Sequence, residues 1–165
     1  MGCVLSLLVC SACGSASPAR SNSGSGGSAD GSKTKIEFGE GFLEPEQNGG
    51  TWRWMGAEGR LKIANTHQSM TLKIQGRAPE GLTESPTIRF EFNGRPLDQV
   101  VGLQPIDKQY AISAAAQGDG ELSELRISTD RTVVPHDVNP SSPDRRRLGF
   151  SVYSVTWSTQ QGGAP

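Results

Sequence analysis

Beyond position 13 the sequence has no cysteine. All three, Cys3, Cys10 and Cys13, fall within the first thirteen of 165 residues, so neither a disulfide nor a thiolate metal site can support a core built downstream. Histidine is nearly as scarce. His67 and His136 fall in separate loops, and His136-Asp137 with Asp130 offers too few ligands for a metal centre, so neither a metal nor a cofactor is expected. Charge of one sign is lacking too: 16 basic residues face 17 acidic ones, a net charge of -1, leaving no field to attract nucleic acid, which is excluded as a partner. There is no amphipathic helical period of useful length, no Gly-rich phosphate loop and no nucleophile elbow, although 21 glycines are present. The acidic pairs Glu44 with Glu46 and Glu121 with Glu124 read as surface carboxylates on turns rather than as the two acids of a glycosidase. On these grounds the chain is not expected to be an enzyme.

A long apolar run is also missing. The run from Cys3 to Ala12 has the length of a signal-peptide core and falls well short of the ~20 residues that span a bilayer. It ends in Cys10-Ser11-Ala12-Cys13-Gly14, which resembles a bacterial lipoprotein cleavage box with Cys13 as the lipidated residue. Cys10 stands where that box usually has Leu, and no Lys or Arg precedes the run, so cleavage of a plain signal peptide nearby stays open as the alternative. Either reading exports the protein and places it in the bacterial cell envelope, with the membrane as a partner through the lipid anchor in the first. Residues 14–33 are rich in Gly and Ser and carry no large apolar side chain to bury. A flexible tether of that composition spans about 25 Å end to end. The expected organisation is a signal and lipobox region at 1–13, the tether at 14–33, one domain at 34–160 and a disordered tail at 161–165.

What the domain does contain is short alternation. Arg60-Leu61-Lys62-Ile63, Met70-Thr71-Leu72-Lys73-Ile74, Ile88-Arg89-Phe90-Glu91-Phe92 and Leu125-Arg126-Ile127 each put apolar residues on one side and polar residues on the other, the mark of half-buried strands. Turn chemistry separates them at Asn48-Gly49-Gly50, Arg77 to Gly81, Asn93-Gly94-Arg95-Pro96 and Gly118-Asp119-Gly120. In the last segment, Leu148, Phe150 and Val152 share one parity and Tyr153, Val155 and Trp157 the other; a β-bulge near Tyr153 would turn both sets inward. The expected fold is all-β, a two-sheet antiparallel β-sandwich, jelly-roll-like, with about eight strands. Its expected core is Phe38, Phe42, Trp52, Trp54, Leu61, Ile63, Leu72, Ile74, Ile88, Phe90, Phe92, Ile112, Leu125, Ile127, Leu148, Phe150, Val152, Val155 and Trp157.

Trp52-Arg53-Trp54-Met55-Gly56 with Arg60 to Ile63, Phe90 to Arg95, Glu124 to Ile127 and Asp144 to Gly149 together resemble the small β-sandwich modules of bacterial sugar-handling proteins, the galactose-binding-like jelly rolls. The resemblance implies a non-catalytic domain and carries no catalytic residues. Two constellations are candidate ligand contacts. Trp52 and Trp54 project from one side of a strand and can stack on a sugar ring or pack in the core, while Arg53, on the other side, can serve an ion pair. Asp144-Arg145-Arg146-Arg147 can clamp an oxyanion of an envelope polymer. Alternatively Asp144 caps its turn and one arginine pairs with Glu40 or Glu58. Two functions remain: a lipid-anchored module binding an envelope glycan, and a structural or assembly component binding another envelope protein.

Overall fold

The computed structural model describes residues 35–47 and 49–159; the expected lipidation site Cys13, the tether at 14–33, the tail at 161–165 and Asn48 of the first turn lie outside them. The strands are β1 (Ile36–Phe38), β2 (Glu46–Gln47), β3 (Thr51–Met55), β4 (Glu58–Ala64), β5 (Met70–Arg77), β6 (Thr87–Phe92), β7 (Arg95–Val101), β8 (Ile106–Ile112), β9 (Leu122–Thr129) and β10 (Phe150–Thr159). Two single-turn helices, α1 (Ala114–Gln117) and α2 (Pro135–Val138), sit in the connections around β9. Five strands form a first antiparallel sheet in the order β1-β4-β9-β6-β7, and five a second in the order β2-β3-β10-β5-β8. The expected all-β, two-sheet antiparallel sandwich is the fold observed. Ten strands replace the expected eight because β1 and β2, of three and two residues, are too short to carry visible alternation.

Alternation sets which side of each strand is buried. Leu61, Ile63, Ile88, Phe90, Phe92, Leu125 and Ile127 of the first sheet meet Met70, Leu72, Ile74, Ile112, Phe150, Val152 and Trp157 of the second in one core cluster. Phe90 packs edge-on to Phe150 with ring centroids 6.3 Å apart, and Phe92 stacks on Trp157 at 5.8 Å. Phe38, Phe42 and Val155 are partly buried against this cluster, whereas Met55, Met70 and Ile106 are core residues that the expected core omitted.

The bulge in β10 forms where the phase of the sequence changes. Its register against β5 shifts between Val152 and Ser154, so Val152 pairs with Gly76 and Val155 with Ile74. Val155 and Trp157 turn toward the core, but Tyr153, the extra residue, is 40% exposed. A bulged residue has no cross-strand partner and is free to point away from the core. Gly76, opposite the bulge, is fixed by close approach: a Cβ there would lie 2.2 Å from the Ser151 carbonyl oxygen and 2.5 Å from Phe150 Cζ. At the other end of the sandwich, Asn93 (φ 49°) and Gly94 (φ 72°) close the β6-β7 hairpin, as a two-residue turn with two positive φ angles requires.

The expected burial of Trp52 and Trp54 is corrected. Met55, fully buried, fixes the inward parity of β3, so Arg53 faces the space between the sheets and both tryptophans project from the outer face, half-buried.

Candidate functional site

The two outer faces of the sandwich differ in chemistry. Across β4, β9 and β6, the first sheet presents an interlocked charge ladder: Arg60 contacts Glu58 at 2.8 Å and Glu124 at 3.0 Å, and Arg126 contacts Glu58 at 2.6 Å and Glu91 at 2.9 Å. The Arg126 guanidinium holds the Glu58 carboxyl below its ordinary range, with burial opposing it and Arg60 adding to it. Both arginines are engaged by two carboxylates each, and only Nε of Arg126 is left buried without a hydrogen-bond partner in this ladder.

On the second sheet the outer face is aromatic at one side and hydroxyl- and amide-rich beyond. Trp52 on β3 sits edge-on to Tyr153 on β10, with ring centroids 6.4 Å apart at 74°. Next to them Ser154, Gln75 and Asp107 align across β10, β5 and β8 through cross-strand pairing. Gln75 Nε2 donates to Asp107 Oδ2 at 2.8 Å, and Lys73 pairs with Asp107 at 3.2 Å.

β3 pairs with β10 only from Phe150 to Val152, and past the bulge the two strands part. The gap is an open notch of about 280 Å³ lined by Phe38, Thr51, Trp52, Arg53 and Val152 to Val155. Trp52 and Tyr153 form its aromatic rim. Arg53 carries its cationic group inside: the guanidinium lies 5.1 Å from the centroid of the Phe38 ring, and Nη1 donates to the Leu43 carbonyl at 3.2 Å. The ion pair expected of Arg53 is replaced by a cation–π contact and one carbonyl. A smaller notch of about 220 Å³ borders Trp54, with Arg77, Pro79, Glu80, Pro135 and Leu148 as its other walls. A third depression, about 310 Å³ on the β6-β7 hairpin, has Phe90 as its one aromatic lining residue, and that ring is fully buried and presents no face for stacking.

The loop from Asp144 to Arg147 joins this face through β2. Glu46 pairs across β2-β3 with Trp52, and its carboxylate contacts Arg146 Nη1 at 2.6 Å. Arg146 in turn grips Asp144 with two bonds, Nε to Oδ1 at 2.9 Å and Nη2 to Oδ2 at 2.6 Å, while Asp144 Oδ1 accepts from the Arg146 backbone N–H at 2.9 Å. Asp144 therefore caps its turn, as in the alternative reading of this loop; its carboxyl is held below the usual aspartate range by the Arg146 side chain, against an opposing effect of burial. The arginine partner expected at Glu40 or Glu58 is instead Glu46, because Glu58 is already taken by Arg60 and Arg126. Arg145 is exposed and makes no ion pair among the described residues.

Thus Trp52, Trp54, Asp144 and Arg146 share one region of the second sheet's outer face, Arg53 opens into the notch beside it from the inner side, and Arg145 stands apart. Neither Tyr153 nor Ser154 is among the ligand contacts expected from the sequence. The phase break at Tyr153 was the signal, since a residue inserted into a strand must face away from one of the two registers it separates. Among the described residues no three His, Cys, Asp or Glu side chains converge as metal ligands.

No family model matches the sequence, and no curated protein matches it. Among solved structures, the chain is similar to the sugar-binding C-terminal domain of EclA, with 12% identity over 83% of this chain and 86% of that chain and a TM-score of 0.42. It is similar also to a family 35 carbohydrate binding module from Clostridium thermocellum, with 11% identity over 78% of this chain and 99% of that chain and a TM-score of 0.43. A family 35 carbohydrate binding module from an environmental isolate has 8% identity over 76% of this chain and 93% of that chain, with a TM-score of 0.43.

Proposed function

We propose that the protein is a lipid-anchored, non-catalytic module of the bacterial envelope that binds a glycan on the outer face of its second sheet. One observation carries this reading: the aromatic rim of Trp52 and Tyr153 stands beside the Ser154-Gln75-Asp107 row, while the opposite sheet spends its outer surface on a closed charge ladder. A sugar ring offers an apolar face and a belt of hydroxyls, so it needs a flat aromatic surface with hydrogen-bonding groups beside it. The neutral balance of the chain leaves no other polymer class favoured by charge. An apolar face for a protein partner has less support. Val101 and Leu103 are exposed near the end of edge strand β7, but isolated exposed apolar residues are ordinary, and Pro96 blunts that edge for strand pairing.

The test is a glycan array probed with the full chain in detergent, followed by Trp52→Ala and Tyr153→Ala. Each substitution is expected to lower affinity for the retained glycan about tenfold, or 1.4 kcal/mol, with the melting temperature held within a few degrees. Retention of affinity in both variants would move the site off this face. Mass spectrometry of the mature N-terminus tests the anchor: an acylated chain beginning at Cys13 is expected, and a non-acylated chain beginning elsewhere removes it.

A further inference from the structure

Resting on the glycan-binding reading, we propose that the notch takes a sugar bearing a carboxylate, with Arg53 as the residue that reads the acid. The basis is how the described arginines are satisfied. Those that are partly buried are Arg53, Arg60 and Arg126. Arg60 and Arg126 each contact two carboxylates, whereas Arg53 has none among the described residues. An arginine has five N–H donors, and the Leu43 carbonyl takes one of those of Arg53. Among the described residues its guanidinium otherwise lies over the Phe38 ring, which can support a cation but cannot accept a directed fork of hydrogen bonds. A partly desolvated cation with spare donors favours an oxyanion, and the planar guanidinium suits the two oxygens of a carboxylate.

The surroundings agree in charge and shape. None of the residues lining the notch is acidic, and the nearby Glu46 lies outside that lining and is paired with Arg146, which it shares with Asp144. The aromatic rim of Trp52 and Tyr153 lies on the same notch, which lets a ring rest against it while a carboxylate on that ring reaches Arg53. Arg145, exposed on its loop, has no such rim and serves as the control.

The experiment uses two probes that differ in charge at the carboxyl group, an oligogalacturonate and its methyl ester, titrated into the full chain in detergent. The acid is expected to bind at least tenfold more tightly than the ester, and the preference is expected to shrink as salt rises from 50 to 500 mM. Arg53→Gln removes the preference and Arg145→Gln keeps it. Because Arg53 also packs on Phe38, Arg53→Lys is measured beside it: it keeps the charge and loses the fork, and an intermediate preference in a folded variant supports the assignment. Equal binding of acid and ester by the unaltered chain overturns the proposal, as does an unchanged preference in Arg53→Gln. If neither probe binds while a neutral glycan is held in a Trp52-dependent way, the carboxylate assignment fails and the glycan reading stands. Failure to bind any glycan removes both.

Discussion

Phe90 and Phe150 are each fully buried, and their rings meet edge-on between the sheets. Truncating either leaves a cavity that two rigid sheets cannot collapse around. Phe90→Ala and Phe150→Ala should each cost about 3–5 kcal/mol in denaturant unfolding, a large part of the 5–15 kcal/mol that a domain typically has. Nearly unchanged midpoints would mean that the inward parity of β6 and β10 is misplaced. Gly76 tests the same contact from the backbone side. Gly76→Ala has to displace both the Ser151 carbonyl and the Phe150 ring at the pairing of β5 with the bulge, and should cost about 1–3 kcal/mol, the usual range for overpacking. Glycine in a strand interior otherwise weakens the strand, so its presence at 76 follows from the close approach of β10.

At the level of elements, the loop before β10 is held to β2 by Arg146, which bridges Asp144 and Glu46, whereas Arg145 reaches no carboxylate among the described residues. Arg146→Ala should therefore lower stability by about 1 kcal/mol, the upper end for pairs open to solvent, while Arg145→Ala leaves the melting temperature in place. Equal melts for the two variants would show that the bridge contributes nothing. The alternation of β4, β5, β6 and β9 was legible in the sequence because each has one face in the core and one in water, and so was the bulge, because its phase break is local. The orientation of β3 was not. Two large aromatics at Trp52 and Trp54 suggest a core face, yet Met55 occupies the core and Arg53 is accommodated inside because β3 lies next to a short edge strand with the Phe38 ring across from it. That depends on a contact between sheets, which periodicity within one strand does not report. The partner of Arg146 was hidden for a similar reason: Glu46 lies on a two-residue strand with no pattern of its own.

Across the whole molecule, the first sheet's outer face carries a ladder of paired charges and the second an aromatic pair beside Ser154, Gln75 and Asp107, and the arginine–carboxylate pairs have a consequence in acid. Glu58 in the ladder and Asp144 on the loop both have carboxyls held below their ordinary range, each chiefly by an arginine side chain, Arg126 for the first and Arg146 for the second. When the folded-state pKa lies below the unfolded value, the unfolded chain binds protons first as pH falls. The stabilisation is complete above the ordinary carboxylate range of about 4 and is lost as pH falls from there through the depressed folded-state values. The melting temperature is therefore expected to be flat between pH 7 and pH 5 and to fall steadily below pH 4. Glu58→Gln should melt lower at pH 7 and show a shallower fall in acid, because it removes one of the groups that must be protonated. High salt should flatten the same fall, since these pairs are open enough to be screened. An acid limb that is unchanged in Glu58→Gln would place the pH dependence outside the ladder, and equal melting temperatures at pH 7 and pH 3 would remove the role of both carboxylates in stability.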